Sequence, residues 1–145
     1  MPHLTQQISI GGPVVEVVIG VSLPRRKVLE AQKIKVPLPI QIRALVDTGA
    51  SCTCIDPSVL SSLQLTRTGL TPMHSPTTGG IPAQTNLFDV SIVLINPKLS
   101  YTLQIVRVAE TMLELQGIKG LIGREVLENC LLVYDGQHKI FTLAF

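Results

Sequence analysis

The chain has 145 residues, of which 46% are hydrophobic, enough for one globular domain with an apolar core. Twelve basic and ten acidic side chains leave a net charge of +2, and the aromatic residues are two Tyr and three Phe. This weak basic bias and the few stacking side chains exclude nucleic acid as an expected partner. Because we find no signal peptide or membrane-spanning stretch, we expect a soluble, cytoplasmic single domain over residues 1–145, without a membrane partner.

The first third of the chain predicts two strands. Residues 14–22 are β-branched and apolar, which favours a buried strand. Residues 23–30 carry a run of basic side chains and are predicted to be an exposed loop or hairpin end, for which a solvated tip is the simplest explanation. Residues 34–42 alternate apolar and polar side chains, which predicts a second strand, although Pro37 and Pro39 force a gap or an edge position.

The rest of the chain predicts hairpins and short helices. Asp56 and Pro57 have the types preferred at a helix N-cap and first helical position, so a helical turn is expected over residues 59–63. Residues 66–84 predict a long hairpin with Gly79-Gly80 at its tip, and residues 88–94 and 101–108 predict another. A buried strand over residues 120–124 precedes a helical stretch, and a hairpin closes the chain around Asp135-Gly136. The predicted fold class is all-β with one or two short helices.

A single carboxylate follows the strand that ends near residue 46. Residues 44–51 read Ala-Leu-Val-Asp-Thr-Gly-Ala-Ser, so an apolar run delivers Asp47 into a Thr-Gly turn. Asp is a poor strand former, and a partly desolvated carboxylate at this position needs a reason to be there. The alternative is a turn residue whose side chain bonds its own backbone. We expect Asp47 to be catalytic.

Hydrolysis by carboxylates alone works best with two of them sharing one proton. The other aspartates are poorly suited: Asp56 is predicted to be a helix cap, Asp89 lies in a strand alternation, and Asp135 belongs to a turn. A symmetric dimer solves this shortage, because a two-fold axis through the site brings Asp47 from both chains together.

Two motifs resemble those of the retropepsin-type aspartic proteases. Residues 44–50 look like their active-site segment, and residues 120–127, Gly-Leu-Ile-Gly-Arg-Glu-Val-Leu, look like their second signature. The Gly79-Gly80 hairpin lies between them, in the place of the flap. An isolated Asp-Thr-Gly is common by chance, whereas this combination is much more specific. The resemblance runs from Val14 to the C-terminus and implies a homodimeric, retropepsin-like acid protease barrel.

The resemblance also implies roles for individual residues. Asp47 would be the catalytic acid and base, Thr48 would lock the two active-site loops across the dimer axis, and Gly49 would let the substrate backbone approach. Substrate would contact the residues around this turn and at the flap tip, namely Leu45, Ala50, Ser51, Gly79, Gly80 and Ile81. Gly123 and Arg124 would give structural support. No metal or organic cofactor is implied, and the substrate would be an extended polypeptide.

Two departures from the viral members of the family leave questions open. Ser51 and Cys52 stand where those enzymes carry acidic residues, one of which pairs with the arginine of the second signature. Arg124 must therefore bond a backbone carbonyl or another carboxylate, such as Glu125 or Asp56. The predicted closing hairpin also replaces the single terminal strand of the viral enzymes, which changes the expected dimer interface.

Other chemistry is poorly supported by the sequence. Cys52 and Cys54 form a Cys-x-Cys with one further cysteine in the chain and no nearby histidine, which is a poor metal site. The three histidines lie away from any nucleophile motif, so a catalytic triad is not expected. The rival hypothesis is a catalytically silent peptide-binding or dimerisation module of the same fold. Pro82 favours it, because proline removes a backbone donor beside the predicted flap tip.

Overall fold

The computed structural model of the chain describes residues 1–74 and 81–145. The strands are β1 (His3–Gln7), β2 (Val14–Val21), β3 (Ile40–Val46), β4 (Cys54–Ile55), β5 (Gly69–Met73), β6 (Ala83–Leu94), β7 (Tyr101–Glu110), β8 (Gly120–Ile122), β9 (Leu131–Asp135) and β10 (Ile140–Ala144). The helices are α1 (Leu23–Ala31), α2 (Pro57–Ser62) and α3 (Arg124–Leu127), with a short 3-10 helix at Glu114–Gln116. The all-β fold class is confirmed, with three short α-helices among the described residues where the sequence predicted one or two.

Two sheets organise the described residues. The larger has the strand order β2-β3-β8-β4-β7-β6-β5, and an additional pairing of β2 with β6 closes it into a barrel. The smaller has the order β1-β10-β9, so strands from the two ends of the chain pair with each other, from His3 opposite Ala144 to Gln7 opposite Ile140. Within the barrel β3 runs parallel to β8, and this pairing positions the candidate site.

The main core fills the barrel and extends under the smaller sheet. Alternate residues of β2 point inward, so Val15, Val17 and Ile19 are at most 2% exposed. Phe141 and Leu143 of β10 are also buried and belong to the same cluster. Fully burying a side chain of this size contributes about 1.5–3 kcal/mol, so the smaller sheet is held on the barrel largely by apolar packing.

Two predictions for the first third of the chain are wrong. Residues 23–30, predicted to be a loop or hairpin end, form most of helix α1. Ser22 caps this helix by accepting a hydrogen bond from the Arg25 amide at 3.4 Å, Pro24 lies in the first turn, and Leu29 is buried against the protein. The predicted strand over residues 34–42 begins only at Ile40, because the two prolines before it interrupt the pattern of backbone donors.

The predicted hairpins are confirmed where the structure describes them. Strand β5 pairs with β6, β6 with β7, and β9 with β10, all antiparallel. Strand β8 and helix α3 also follow the predicted order, and Asp56 caps α2 as expected. The predicted flap tip at Gly79 and Gly80 lies outside the described residues.

Candidate active site

Asp47 follows directly after β3, at the end where β3 pairs with the parallel strand β8. Its amide donates to the Ile122 carbonyl at 3.0 Å, continuing the pairing of the two strands by one residue. Asp47 is half-buried, and because side chains alternate along a strand it shares a face with Leu45, away from the main core. The turn before β2 covers Leu45. Gly12 has a φ of +108°, and a Cβ there would lie 2.9 Å from the Leu45 Cδ1.

The turn after Asp47 is built on the aspartate itself. The Gly49 amide donates to Asp47 Oδ1 at 2.9 Å, and the Ala50 amide donates to the Asp47 carbonyl at 3.2 Å. The bond from the Gly49 amide to Oδ1 is the type that a turn-forming aspartate makes with its own backbone. Asp47 therefore has the turn-forming role that the sequence left open as the alternative to catalysis. This bond occupies one carboxylate oxygen, and in the described part of the chain the other accepts no hydrogen bond from a protein group.

Arg124 holds this turn from the side of α3. Its amide donates to the Ala50 carbonyl at 2.9 Å, and its guanidinium Nη1 donates to the Thr48 carbonyl, also at 2.9 Å. Of the partners left open from the sequence, the backbone carbonyl is therefore the one found. The turn that carries Asp47 is fixed at its middle and at its end by the same residue.

A second group of bonds joins α3 to the segment after the turn. Glu125 Oε1 accepts a hydrogen bond from the Thr53 amide at 2.5 Å, and Thr53 Oγ1 accepts one from the Gly123 amide at 2.9 Å. A Cβ on Gly123 would lie 2.6 Å from Glu125 Oε2 and 2.7 Å from the Cys52 carbonyl carbon, so this close approach requires glycine. Sequence reasoning missed Thr53 and the supporting role of Glu125, because a single threonine just before a short strand carries no distinctive signal.

Asp56 is a structural carboxylate. It is 2% exposed, and Oδ1 accepts from the Ser58 amide and hydroxyl at 3.0 and 2.7 Å. Oδ2 accepts from the amides of Leu113 and Glu114 at 2.9 and 3.1 Å. Burial alone raises the pKa of Asp56, but these hydrogen bonds and nearby Lys119 outweigh it and bring the pKa down to about 2. It joins α2 to the loop before β8 and is not a second catalytic carboxylate for Asp47.

The cysteines are free thiols. Burial raises the pKa of Cys52 to about 11, with further contributions from the charge of Glu125 and from Cys54. Burial also raises the pKa values of Cys54 and Cys130. Among residues 1–74 and 81–145, no three His, Cys, Asp or Glu side chains are grouped so that they could hold a metal ion.

The remaining predicted site residues lie on the same turn or near the predicted flap. Thr48, Gly49 and Ser51 are exposed and Ala50 is half-buried. Ile81 is 77% exposed. The structure thus brings Leu45, the turn, Gly123 and Arg124 together, while the position of Gly79 and Gly80 relative to them is outside the described residues.

Comparison with known families decides the classification. The family model for aspartyl proteases matches residues 39–126, well over half of the chain, and this stretch contains Asp47 and all but the last residue of the second signature. The chain belongs to the aspartyl protease family. A comparison with curated protein sequences finds no match.

A solved relative supports the fold of this aspartyl protease. The chain is similar to a retropepsin-like aspartic protease from Rickettsia conorii, with a TM-score of 0.60 at 14% sequence identity, over 99% of this chain and 90% of that chain. At this identity the similarity shows the fold, and it confirms the retropepsin-like architecture expected from the sequence. No helix in the described part of the chain is both long enough and apolar enough to cross a membrane.

Proposed function

We propose that this chain is an aspartic endopeptidase whose active site forms between two copies, each contributing one Asp47. The observation that carries the proposal is the position of this carboxylate. It stands at the end of a barrel strand, on a turn that Arg124 fixes through the Thr48 carbonyl at 2.9 Å, and one of its oxygens is held by Gly49. Such rigidity suits a group that must be positioned for catalysis.

The need for two copies follows from the chemistry. In aspartic proteases two carboxylates share one proton, so one accepts a proton from the attacking water while the other polarises the carbonyl. Asp56 is occupied by four hydrogen bonds, and Asp89 lies in β6 within 3.5 Å of Arg107. The second carboxylate is therefore proposed to be Asp47 of an identical chain, related by a two-fold axis close to the exposed Thr48.

The proposed substrate is an extended polypeptide with apolar side chains flanking the scissile bond. Leu45 shares the face of β3 with Asp47, and it packs at the edge of a smaller apolar cluster that includes Cys54, Leu87 and Leu121. An extended chain would pair with backbone groups of the flap as an added strand, with Gly79, Gly80 and Ile81 at the flap tip. Ala50 and Ser51 would border the scissile bond. No metal or organic cofactor enters this mechanism.

Cleavage profiling on a peptide mixture tests this proposal. Wild type is compared with Asp47→Asn, with and without pepstatin, between roughly pH 4 and 7, where a shared-proton dyad operates. We expect cleavage between apolar residues by the wild type, and none with pepstatin or with the variant. Identical peptide patterns for wild type and Asp47→Asn would instead favour the catalytically silent peptide-binding or dimerisation module.

A further inference from the structure

The connection between β2 and β3 carries five of the twelve basic residues of the chain. Residues 23–39, here called the basic arm, comprise α1 and the extended segment after it. The arm carries five basic residues and one acidic residue, Glu30, so its net charge is +4. The remaining seven basic and nine acidic residues give −2. The five cations are all exposed: Arg25, Arg26, Lys27, Lys33 and Lys35.

These cations do not serve the stability of the arm itself. The ion pairs in the described part of the chain involve Arg107, Lys119 and His138, and none involves the arm. Arg25 and Arg26 lie near the start of α1, where the helix dipole disfavours positive charge, and the first turn contains no acidic residue. A cluster that is unfavourable for its own helix indicates an external anionic partner.

Exposed aliphatic side chains accompany the charges. Val28 is 45% exposed, Ile34 51% and Leu38 76%. Leu38 lines two clefts, one of about 250 Å³ shared with Arg26 and another of about 530 Å³ shared with Lys35. Leu38 therefore borders both clefts, and Arg26 lines the first together with Glu30, while Lys35 lines the second.

A segment with exposed aliphatic side chains among several cations suits the surface of a lipid bilayer. Aliphatic side chains enter the boundary between headgroups and acyl chains, while lysine and arginine contact anionic headgroups. Nucleic acid fits less well, because the arm contains no aromatic residue on which bases could stack. We propose that the basic arm is a peripheral membrane-binding surface for bilayers that contain anionic phospholipid, with Ile34 and Leu38 inserted at the interface.

This proposal departs from the expectation of a solvated tip and no membrane partner, and it is independent of the proposed protease activity. The arm ends where β3 begins, and Asp47 follows the opposite end of that strand. Seven strand residues at about 3.3 Å each separate the two by about 20 Å. A protein attached to a membrane through the arm would therefore keep the turn around Asp47 free.

Co-sedimentation of the full chain with lipid vesicles tests the proposal. Vesicles of phosphatidylcholine alone are compared with vesicles that also contain phosphatidylglycerol, at low and high salt. One variant combines Arg25→Gln with Arg26→Gln, and a second combines Ile34→Ser with Leu38→Ser. The matched controls, Lys98→Gln with Lys139→Gln and Leu99→Ser with Ile105→Ser, change exposed residues outside the arm. Circular dichroism checks that each variant is folded.

We expect binding to the anionic vesicles alone, weakened by salt. Each arm variant should lower the partition coefficient at least about tenfold, and the control variants should leave it within about twofold. Binding that is absent, that is equal for both vesicle types, or that falls equally in the control variants would overturn the proposal. Polyglutamate is the probe for the other anionic partner: an arm that binds polyglutamate but not the vesicles is a docking site for acidic protein, and the membrane proposal is then wrong.

Discussion

The guanidinium of Arg124 donates to the backbone carbonyl of Thr48 at 2.9 Å, so the second sequence signature is tied directly to the turn that carries Asp47. The resemblance to the viral retropepsin-type enzymes implies that this arginine pairs with a carboxylate, but Ser51 and Cys52 stand here in place of the acidic residues. In this chain a bond to the main-chain carbonyl of Thr48 takes the place of a bond to an acidic side chain. On the side of α3, the turn is therefore held by one residue, Arg124, through its guanidinium and its amide.

Replacing Arg124 should therefore impair activity more than stability. Arg124→Lys keeps the charge but loses the planar donor group that reaches Thr48, and we expect kcat/KM for peptide cleavage to fall at least about tenfold. The free energy of unfolding should fall by only about 0.5–1 kcal/mol, because the guanidinium is exposed and the net contribution of a hydrogen bond is small there. Arg107→Lys, at an exposed ion pair with Asp89, is the matched control. An unchanged kcat/KM in Arg124→Lys would contradict the role of Arg124 in holding the turn that carries Asp47.

Glu125 should act through the hydrogen bond to Thr53 and not through its charge. Its Oε2 is buried and has no hydrogen-bond partner among the described residues, while Oε1 accepts from the Thr53 amide. Glu125→Gln retains that acceptor, so urea unfolding should give a stability within about 1 kcal/mol of wild type. Glu125→Ala leaves the buried amide unpaired and should cost about 1–3 kcal/mol. Equal losses in both variants would show that the charge matters.

Asp56 should make the fold sensitive to acid. Its folded pKa of about 2 lies below the usual value of about 3.9 for an unfolded chain, so its stabilising effect is complete above about pH 4 and is lost as the pH falls towards 2. The effect amounts to about 2–3 kcal/mol. Asp56→Asn should lower stability near neutral pH and reduce its dependence on pH in this window.

Urea unfolding at several pH values measures both effects of the Asp56 change. Asp89→Asn is the control, because that carboxylate takes part in an exposed ion pair with Arg107. A stability difference between wild type and Asp56→Asn that stays constant from about pH 6 to 2 would contradict the linkage, because a charged carboxylate must lose its advantage once it is protonated.

The thiols should react slowly in the native protein. The pKa of Cys52 is raised to about 11, and those of Cys54 and Cys130 are also raised by burial, so little reactive thiolate exists near neutral pH. We expect alkylation by iodoacetamide to be at least about tenfold slower than in urea, as followed by mass spectrometry. Modification of native Cys52 at the rate of free cysteine would show that its surroundings are more open than the structure describes.

Much of the fold was predictable because its signals are local. Alternating apolar residues marked β6 and β7, and an acidic cap followed by proline marked α2. Helix α1 has a similar signal, Ser22 followed by Pro24, but its basic residues favoured a loop, and one buried residue, Leu29, provides much of its packing. Strand β1 carries little apolar alternation, and its place is set by pairing with β10 at the far end of the chain.

The candidate site was predictable in its motifs but not in its contacts. Asp47 and Arg124 stand out in the sequence because each lies in a recognisable pattern. The bond from Arg124 to a backbone carbonyl cannot be predicted from the residue types, since every residue has such a carbonyl. The same holds for Thr53, whose amide and hydroxyl bond Glu125 and Gly123, which lie 72 and 70 positions further along the chain.

The most direct test of the proposed shared site mixes wild type with Asp47→Asn. The two proteins are unfolded together and refolded at varying ratios, so that their subunits pair at random. If each active site needs Asp47 from both chains, peptide cleavage should follow the square of the wild-type fraction, which gives about one quarter of full activity at an equal mixture. Activity that falls in direct proportion to the wild-type fraction, to about one half at an equal mixture, would show that one Asp47 suffices and would contradict the account.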